Sequence, residues 1–194
     1  MVVCGKDASS NEALIRRYAK SENPIFHSDV SGAPFVLVMS DADATPQGTL
    51  DEAAQMAASH TTWAWQAGYA SLDVFWVKAS QLSKSPPSGE YLTRGSFMVR
   101  GKKNYFRGTR LALAVAVVGT GGKIEVVVAP VGAVSSKTAT YVVITPGTHE
   151  RARLASEIKE RLLKLAPEGE RAGIRTSRLE EIIAALPAKN GSVL

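Results

Sequence analysis

The sequence predicts an α+β fold: a mixed β-sheet with helices packed on one face, a strand meander extending it, and two C-terminal helices. Three observations carry this. Short β-branched and apolar runs in the first half alternate with two capped segments of helical apolar spacing. From Arg110 onward, strand-like runs follow one another with only turn residues between them. Two amphipathic stretches then close the chain.

Val2 to Cys4 reads as a short strand. Ser9-Ser10-Asn11-Glu12 fits a capping box opening a helix to about Tyr18, with Asp7 or Ser9 as the cap and Glu12 completing the box. Ile25 to His27 and Phe35 to Met39 are strands around the polar turn from Asp29 to Pro34. Thr49-Leu50-Asp51-Glu52 opens a second helix, to about Ala67, on which Ala53, Met56, Ala57, His60, Ala64 and Ala67 share a buried face. His60 is therefore expected to be a hydrogen-bonded core histidine, and Trp63 and Trp65, two apart, cannot both face inward. Leu72 to Lys78 is the next strand, and Pro86-Pro87 in the loop after it cannot continue a regular element, so the segment beyond is expected on an ordered turn.

Arg110 to Val118 and Lys123 to Ala129 flank Gly119-Thr120-Gly121-Gly122, a hairpin connection, and Thr140 to Thr145 is the third strand of the meander. Leu154, Ile158, Leu162 and Leu165 stripe a helix that stops before Pro167, its charged face solvated. Residues 168–175 read as a polar linker, Ser177-Arg178-Leu179-Glu180 caps a final helix, and residues 188–194 read as a frayed tail. The expected division is a core over residues 1–118 and an α+β extension over 119–194, packed on it as one globular unit.

With 45% hydrophobic residues in a chain of 194, a packed core is ample. A pI near 9.4 favours anionic partners. Cys4 is the single cysteine, which excludes a disulfide framework and a thiolate metal site and suits a buried structural thiol. The N-terminus lacks the apolar run of a signal peptide, and Leu111 to Val118 is too short to span a bilayer, so the expectation is a cytoplasmic protein without a membrane partner.

The charge is local. Between Ser83 and Arg110 seven cations, Lys84, Arg94, Arg100, Lys102, Lys103, Arg107 and Arg110, stand against one acid, Glu90, giving plus six where the whole chain is plus five. Everything else sums to minus one. Tyr91, Phe97, Tyr105 and Phe106 are interleaved, the mixture with which proteins hold phosphates and stack bases, although Phe97 and Val99 alternate as half-buried strand residues do. Lys84, Arg94, Arg100, Lys102, Lys103 and Arg107 are the candidate phosphate contacts, with Tyr91 and Tyr105 as stacking platforms. A phosphate loop is excluded, since Gly95 is one residue too far from Gly101-Lys102 and Lys103 stands where Ser or Thr must bind magnesium. His27 and Asp29, two apart on a strand, could form a base and its orienting acid, with Asp7 or Glu12 nearby. No third partner is evident, so catalysis, metal and cofactors are not expected.

SKSPPSGEYLTRGSFMVRGKKNY closely resembles the signature of the NFACT-R domain, the RNA-binding module of the NFACT proteins of ribosome-associated quality control. Gly5-Lys6-Asp7-Ala8 with Asn11-Glu12 resembles the family's opening, and His27-Ser28-Asp29 through Gly32-Ala33-Pro34 its second block, with Ser28 in place of the usual Ala. APVGAV and YVVITPG resemble, more loosely, the archaeal members. The resemblance implies non-catalytic binding of tRNA or large-subunit rRNA, on the ribosome and with a protein partner supplying the family's other domains. Full-length members add C-terminal tails to nascent chains and carry an NFACT-N domain, helix-hairpin-helix and coiled-coil segments. The sequence at hand reads as a stand-alone archaeal-type form whose sheet is a strand short at its start or whose start lies upstream, so tailing activity is not carried over. The alternatives are an RNA-processing or RNA-modifying enzyme using His27 and Asp29, and a protein-binding scaffold.

Overall fold

The computed structural model describes residues 1–85, 91–120 and 123–194. The expectations for Pro86-Pro87 and Gly121-Gly122, and the one acid of the basic segment, Glu90, fall outside them. Two compact units divide the chain: residues 1–61 with 71–109, and residues 62–70 with 110–194.

The first unit is built from β1 (Val2–Cys4), α1 (Ala8–Ala13), β2 (Pro24–Ser28), β3 (Val36–Val38), α2 (Gln47–Ser59), β4 (Ser71–Lys78), β5 (Leu82–Ser83), β6 (Met98–Val99) and β7 (Asn104–Arg110). Its main sheet has the order β1-β3-β2-β4-β7, with β5 and β6 paired separately. The α+β class stands, but every ladder described is antiparallel, not mixed. The helical crossover through α2 joins β3 to β4, and these run parallel only across β2, which lies between them and pairs antiparallel with both.

The helices, expected together on one face, lie on both. Successive strand residues point to opposite sides. On one side of β2, the Ser28 hydroxyl is fully buried against α2, within 3.2 Å of the Ala57 carbonyl and 3.1 Å of the Thr61 hydroxyl. On the other, Ile25 packs with Leu37, Phe35 and Leu14, the last from the π-helical turn Leu14–Tyr18 that continues α1. Phe97 and Leu82 complete that cluster, so the basic segment is rooted in the core.

Asp7 caps α1 by accepting the Ser10 N–H at 2.8 Å. Ser10, not Glu12, closes the box, because its hydroxyl reaches back to the Asp7 N–H at 2.8 Å. The expected helix to Ala67 ends at Ser59. There His60 donates to the Met56 carbonyl from both its N–H and Nδ1, while the Thr61 hydroxyl takes the Ala57 carbonyl that the Thr61 N–H of a continuing helix would use. His60 is thus held as expected, and its burial lowers its pKa.

The second unit holds α3 (Thr62–Gln66), β8 (Leu113–Thr120), β9 (Lys123–Ala129), α4 (Val131–Ser135), β10 (Val142–Glu150), α5 (Arg151–Leu165), α6 (Glu168–Thr176), α7 (Leu179–Ala185) and β11 (Asn190–Val193), with sheet order β11-β10-β8-β9. The β8–β9 ladder runs out to Thr120 opposite Lys123, as a hairpin requires. Trp65 is buried and donates from Nε1 to the Asn190 carbonyl at 2.8 Å, while Trp63 is 40% exposed, one indole in and one out.

Two expectations fail here. Residues 168–175 are not a linker but most of α6, anchored by the buried Ile174, with Glu168 and Glu170 in its first turn and Arg175 in its last. Lys159 of α5 donates to the Arg175 and Ser177 carbonyls and so satisfies the helix end. The frayed tail is β11, an edge strand paired with β10 across a bulge between Thr145 and His149. Three helices therefore follow β10 instead of two, and Leu165, expected in the α5 stripe with Leu154, Ile158 and Leu162, is exposed. Among the described residues, no helix is long and apolar enough to cross a membrane.

Candidate nucleic-acid interface

The basic segment is a long excursion between β5 and β6, followed by a turn into β7, the edge strand of the main sheet. Leu82 pairs with Val99 at its base. Just above, Gln81 bonds to both sides of the turn: its Nε2 donates to the carbonyls of Arg100 at 2.8 Å and Lys102 at 3.1 Å. Its own carbonyl accepts the Arg100 N–H at 2.8 Å. Gly101, at φ 80°, supplies the left-handed residue that this turn needs. Arg100 and Lys102 are thereby displayed side by side in solvent.

Three carboxylates from distant parts of the chain brace the segment, each gripping one of its cations and one further group of the segment, while Glu12 also pairs with Arg16 one helical turn on. Glu12 accepts the Gly95 N–H and the Lys84 ammonium, both at 3.2 Å, and these donors hold its carboxyl below the usual range. Gly95 sits at φ 79° so close to α1 that a Cβ would lie 2.6 Å from the Cα and carbonyl oxygen of Ala8. Phe97 then meets Phe35 edge-on, centroids 5.7 Å apart, and the Lys84 ammonium lies 4.4 Å from the Phe97 ring centre.

Asp29 receives the Lys103 ammonium on one oxygen and the Tyr105 hydroxyl on the other, each at 3.1 Å. Its partial burial works to raise its pKa, yet these donors outweigh that and leave it lowered. Asp73 takes the Arg107 guanidinium on one oxygen and the Gly108 N–H on the other at 2.9 Å, and is lowered first by the backbone donor and then by the arginine. Lys103 Nζ stands 3.9 Å from the Phe75 ring centre, and Arg107 Cζ 3.8 Å from that of Tyr105.

The predicted residues therefore fall into two sets. Lys84, Lys103, Tyr105 and Arg107 are held by carboxylates. Arg94, Arg100 and Lys102 are exposed and make no ion pair with a described residue, and Tyr91 is 87% exposed. Arg94 adds a small share to the lowering of Asp7, which comes mainly from the Ser10 N–H and hydroxyl.

His27 and Asp29 are not joined to each other. The His27 ring lies between Phe35 and Phe75 at 4.6 and 5.9 Å, donates from Nε2 to the Ala33 carbonyl at 3.1 Å, and has its pKa lowered by burial. Asp7 serves α1, while Glu12 and Asp29 face the basic segment. Among the described residues, no three His, Cys, Asp or Glu side chains are grouped as a metal site would need. Cys4 is buried enough to push its thiol to about 12. Two positioning residues were not singled out in the sequence, Gln81 and Asp73. Gly108, a glycine inside a strand pattern, was the available signal for the second.

Residues 1–101 match the family described as the NFACT protein RNA binding domain, NFACT-R. The archaeal Rqc2 homolog aRqcH of Methanocaldococcus jannaschii is 37% identical over 160 residues, 82% of this chain and 24% of that protein. The ribosome quality control complex subunit NEMF homolog of Drosophila melanogaster is 36% identical over 118 residues, 60% of this chain and 12% of that protein. The chain thus spans a quarter or less of the length of these relatives. A solved structure, the C-terminal part of a fibronectin/fibrinogen-binding protein from Streptococcus suis, covers 56% of this chain and 40% of its own at 23% identity and a TM-score of 0.42, too low a likeness to inform the fold.

Proposed function

The chain belongs to the NFACT-R family of RNA-binding domains, and from that membership we propose that it binds RNA without catalysis, on tRNA or the rRNA of the large ribosomal subunit, in ribosome-associated quality control. The observation that carries the reading is the exposure of Arg94, Arg100 and Lys102, and of Tyr91, on a segment fixed by Glu12 and Gln81. Cations that make no ion pair with a described residue are available to phosphates, and a segment already ordered loses less entropy when RNA arrives. Lys84, Lys103 and Arg107 would first have to exchange a carboxylate for a phosphate. Binding is favoured over catalysis because the His27 ring is committed to a carbonyl and Asp29 to Lys103 and Tyr105.

The test is the salt dependence of RNA affinity. Replacing Arg94, Arg100 and Lys102 together by Ala should weaken binding and flatten the slope of log K against log salt by about two to three, at roughly 0.7 to 0.9 per phosphate contact. A triple variant with the wild-type affinity and slope would refute the assignment. Crosslinking in cells, followed by sequencing of the attached RNA, separates a tRNA footprint from an rRNA one.

A further inference from the structure

Arg107 differs from the other cations of the segment in being presented as a plane. Its guanidinium lies 3.8 Å from the centre of the Tyr105 ring and is tied at one nitrogen to Asp73. Tyr105 is fixed in turn: its hydroxyl is bonded to Asp29, and its ring stands 6.0 Å from Phe75, which continues through His27 to Phe35. Asp73 is itself held by the Gly108 N–H. A row of rings rooted in the core thus ends at the surface in a guanidinium whose side chain is 65% exposed.

We propose that the solvent face of the Arg107 guanidinium is a stacking site for one unpaired nucleobase of the bound RNA, with Tyr105 as the support behind it. A guanidinium plane stacks on bases as it does on aromatic rings, and only an unstacked, unpaired base offers its face. Arg107 already stands over the Tyr105 ring, so the platform predicted at Tyr105 passes outward by one layer. The ion pair with Asp73 is exposed on both sides and contributes little to folding. Its geometric effect is to fix the orientation of the plane. The inference rests on the RNA-binding reading and selects loops, bulges or single strands over duplex.

The test uses the full chain with a single-stranded RNA carrying 2-aminopurine and with a duplex of the same length, comparing wild type, Arg107→Lys and Arg107→Ala. Lysine keeps the charge and loses the plane. The expected result is a loss of about tenfold in affinity for the single strand with Arg107→Lys, within the range that base stacking contributes. The salt slope and the duplex affinity stay at their wild-type values, and 2-aminopurine quenching falls. Arg107→Ala should lose the same tenfold, with a slope flatter by at most about one. If Arg107→Lys binds and quenches as wild type does while the Arg94, Arg100 and Lys102 variant remains defective, stacking is refuted and RNA binding stands. If wild type binds neither RNA, both readings fall.

Discussion

Gly95→Ala tests whether the basic segment is held by its contact with α1. The substituted residue would carry φ 79°, which costs an L-residue roughly 1–2 kcal/mol. Its Cβ would also stand 2.6 Å from the Cα and carbonyl oxygen of Ala8, both backbone atoms in the first turn of a capped helix, so neither can step aside cheaply. The segment must lift instead, losing the bond from the Gly95 N–H to Glu12 and the packing of Phe97 on Phe35. Burying a Phe side chain contributes roughly 1.5–3 kcal/mol, and Phe97 is only half-buried, so its share lies at the low end. The expected stability loss is therefore about 2 kcal/mol, limited by what the docked segment contributes. Urea denaturation of the full chain reads the midpoint, and hydrogen exchange reads residues 91–97 separately. An unchanged midpoint with those amides still protected would refute the docking argument.

Glu12→Ala gives a prediction whose sign separates two ideas. Removing a negative charge beside a phosphate-binding surface should tighten RNA binding if only charge mattered; if Glu12 places Lys84 and the Gly95 turn, affinity should fall severalfold, which a filter-binding titration decides. The buried histidines predict the pH response. Unfolded histidines protonate near about 6.5, whereas burial holds His27 and His60 lower, so the unfolded state binds more protons as pH falls below that value. Stability should be full above about pH 7 and decline from there toward pH 5, before the carboxylates titrate. The urea midpoint should fall over that interval in wild type and fall less in His27→Gln; equal declines would exclude His27 as a contributor.

Much of the scaffold was legible because its signals are local. The α2 face at Ala53 and Ala57, the α5 face at Leu154, Ile158 and Leu162, the β8–β9 hairpin, the cap at Asp7 and the opposed directions of Trp63 and Trp65 follow from spacing and turn chemistry, whereas Ala67 and Leu165, expected on those faces, are exposed. Helix α6 was hidden because Ile174 is its only buried residue, too few to set a period. Strand β11 was hidden because an edge strand of Asn, Gly, Ser and Val is defined by the partner it joins. In the interface, the cations were visible and their partners were not. Spacing suggested that Asp29 would serve His27, but β2 ends at Ser28, and beyond it the Asp29 carboxylate meets Lys103 and Tyr105. Nothing in a one-dimensional pattern reports that residues 12, 29 and 73 converge on one segment.

The path of the chain through α3 bears on how these two units could ever be exchanged between proteins. The chain leaves the first unit after residue 61, crosses the second over residues 62–70, and returns at residue 71. No single cut separates them. A fragment ending where the family match ends, at residue 101, would carry Trp65 without the Asn190 carbonyl that takes its indole proton. It would also lack β7, and with it the partners of Asp29 and Asp73. A cut after residue 109 would leave the second unit without residues 62–70, and a cut after residue 61 would leave the first without residues 71–109, so recombination at either junction transfers only one unit whole, as simple end-to-end fusion would not.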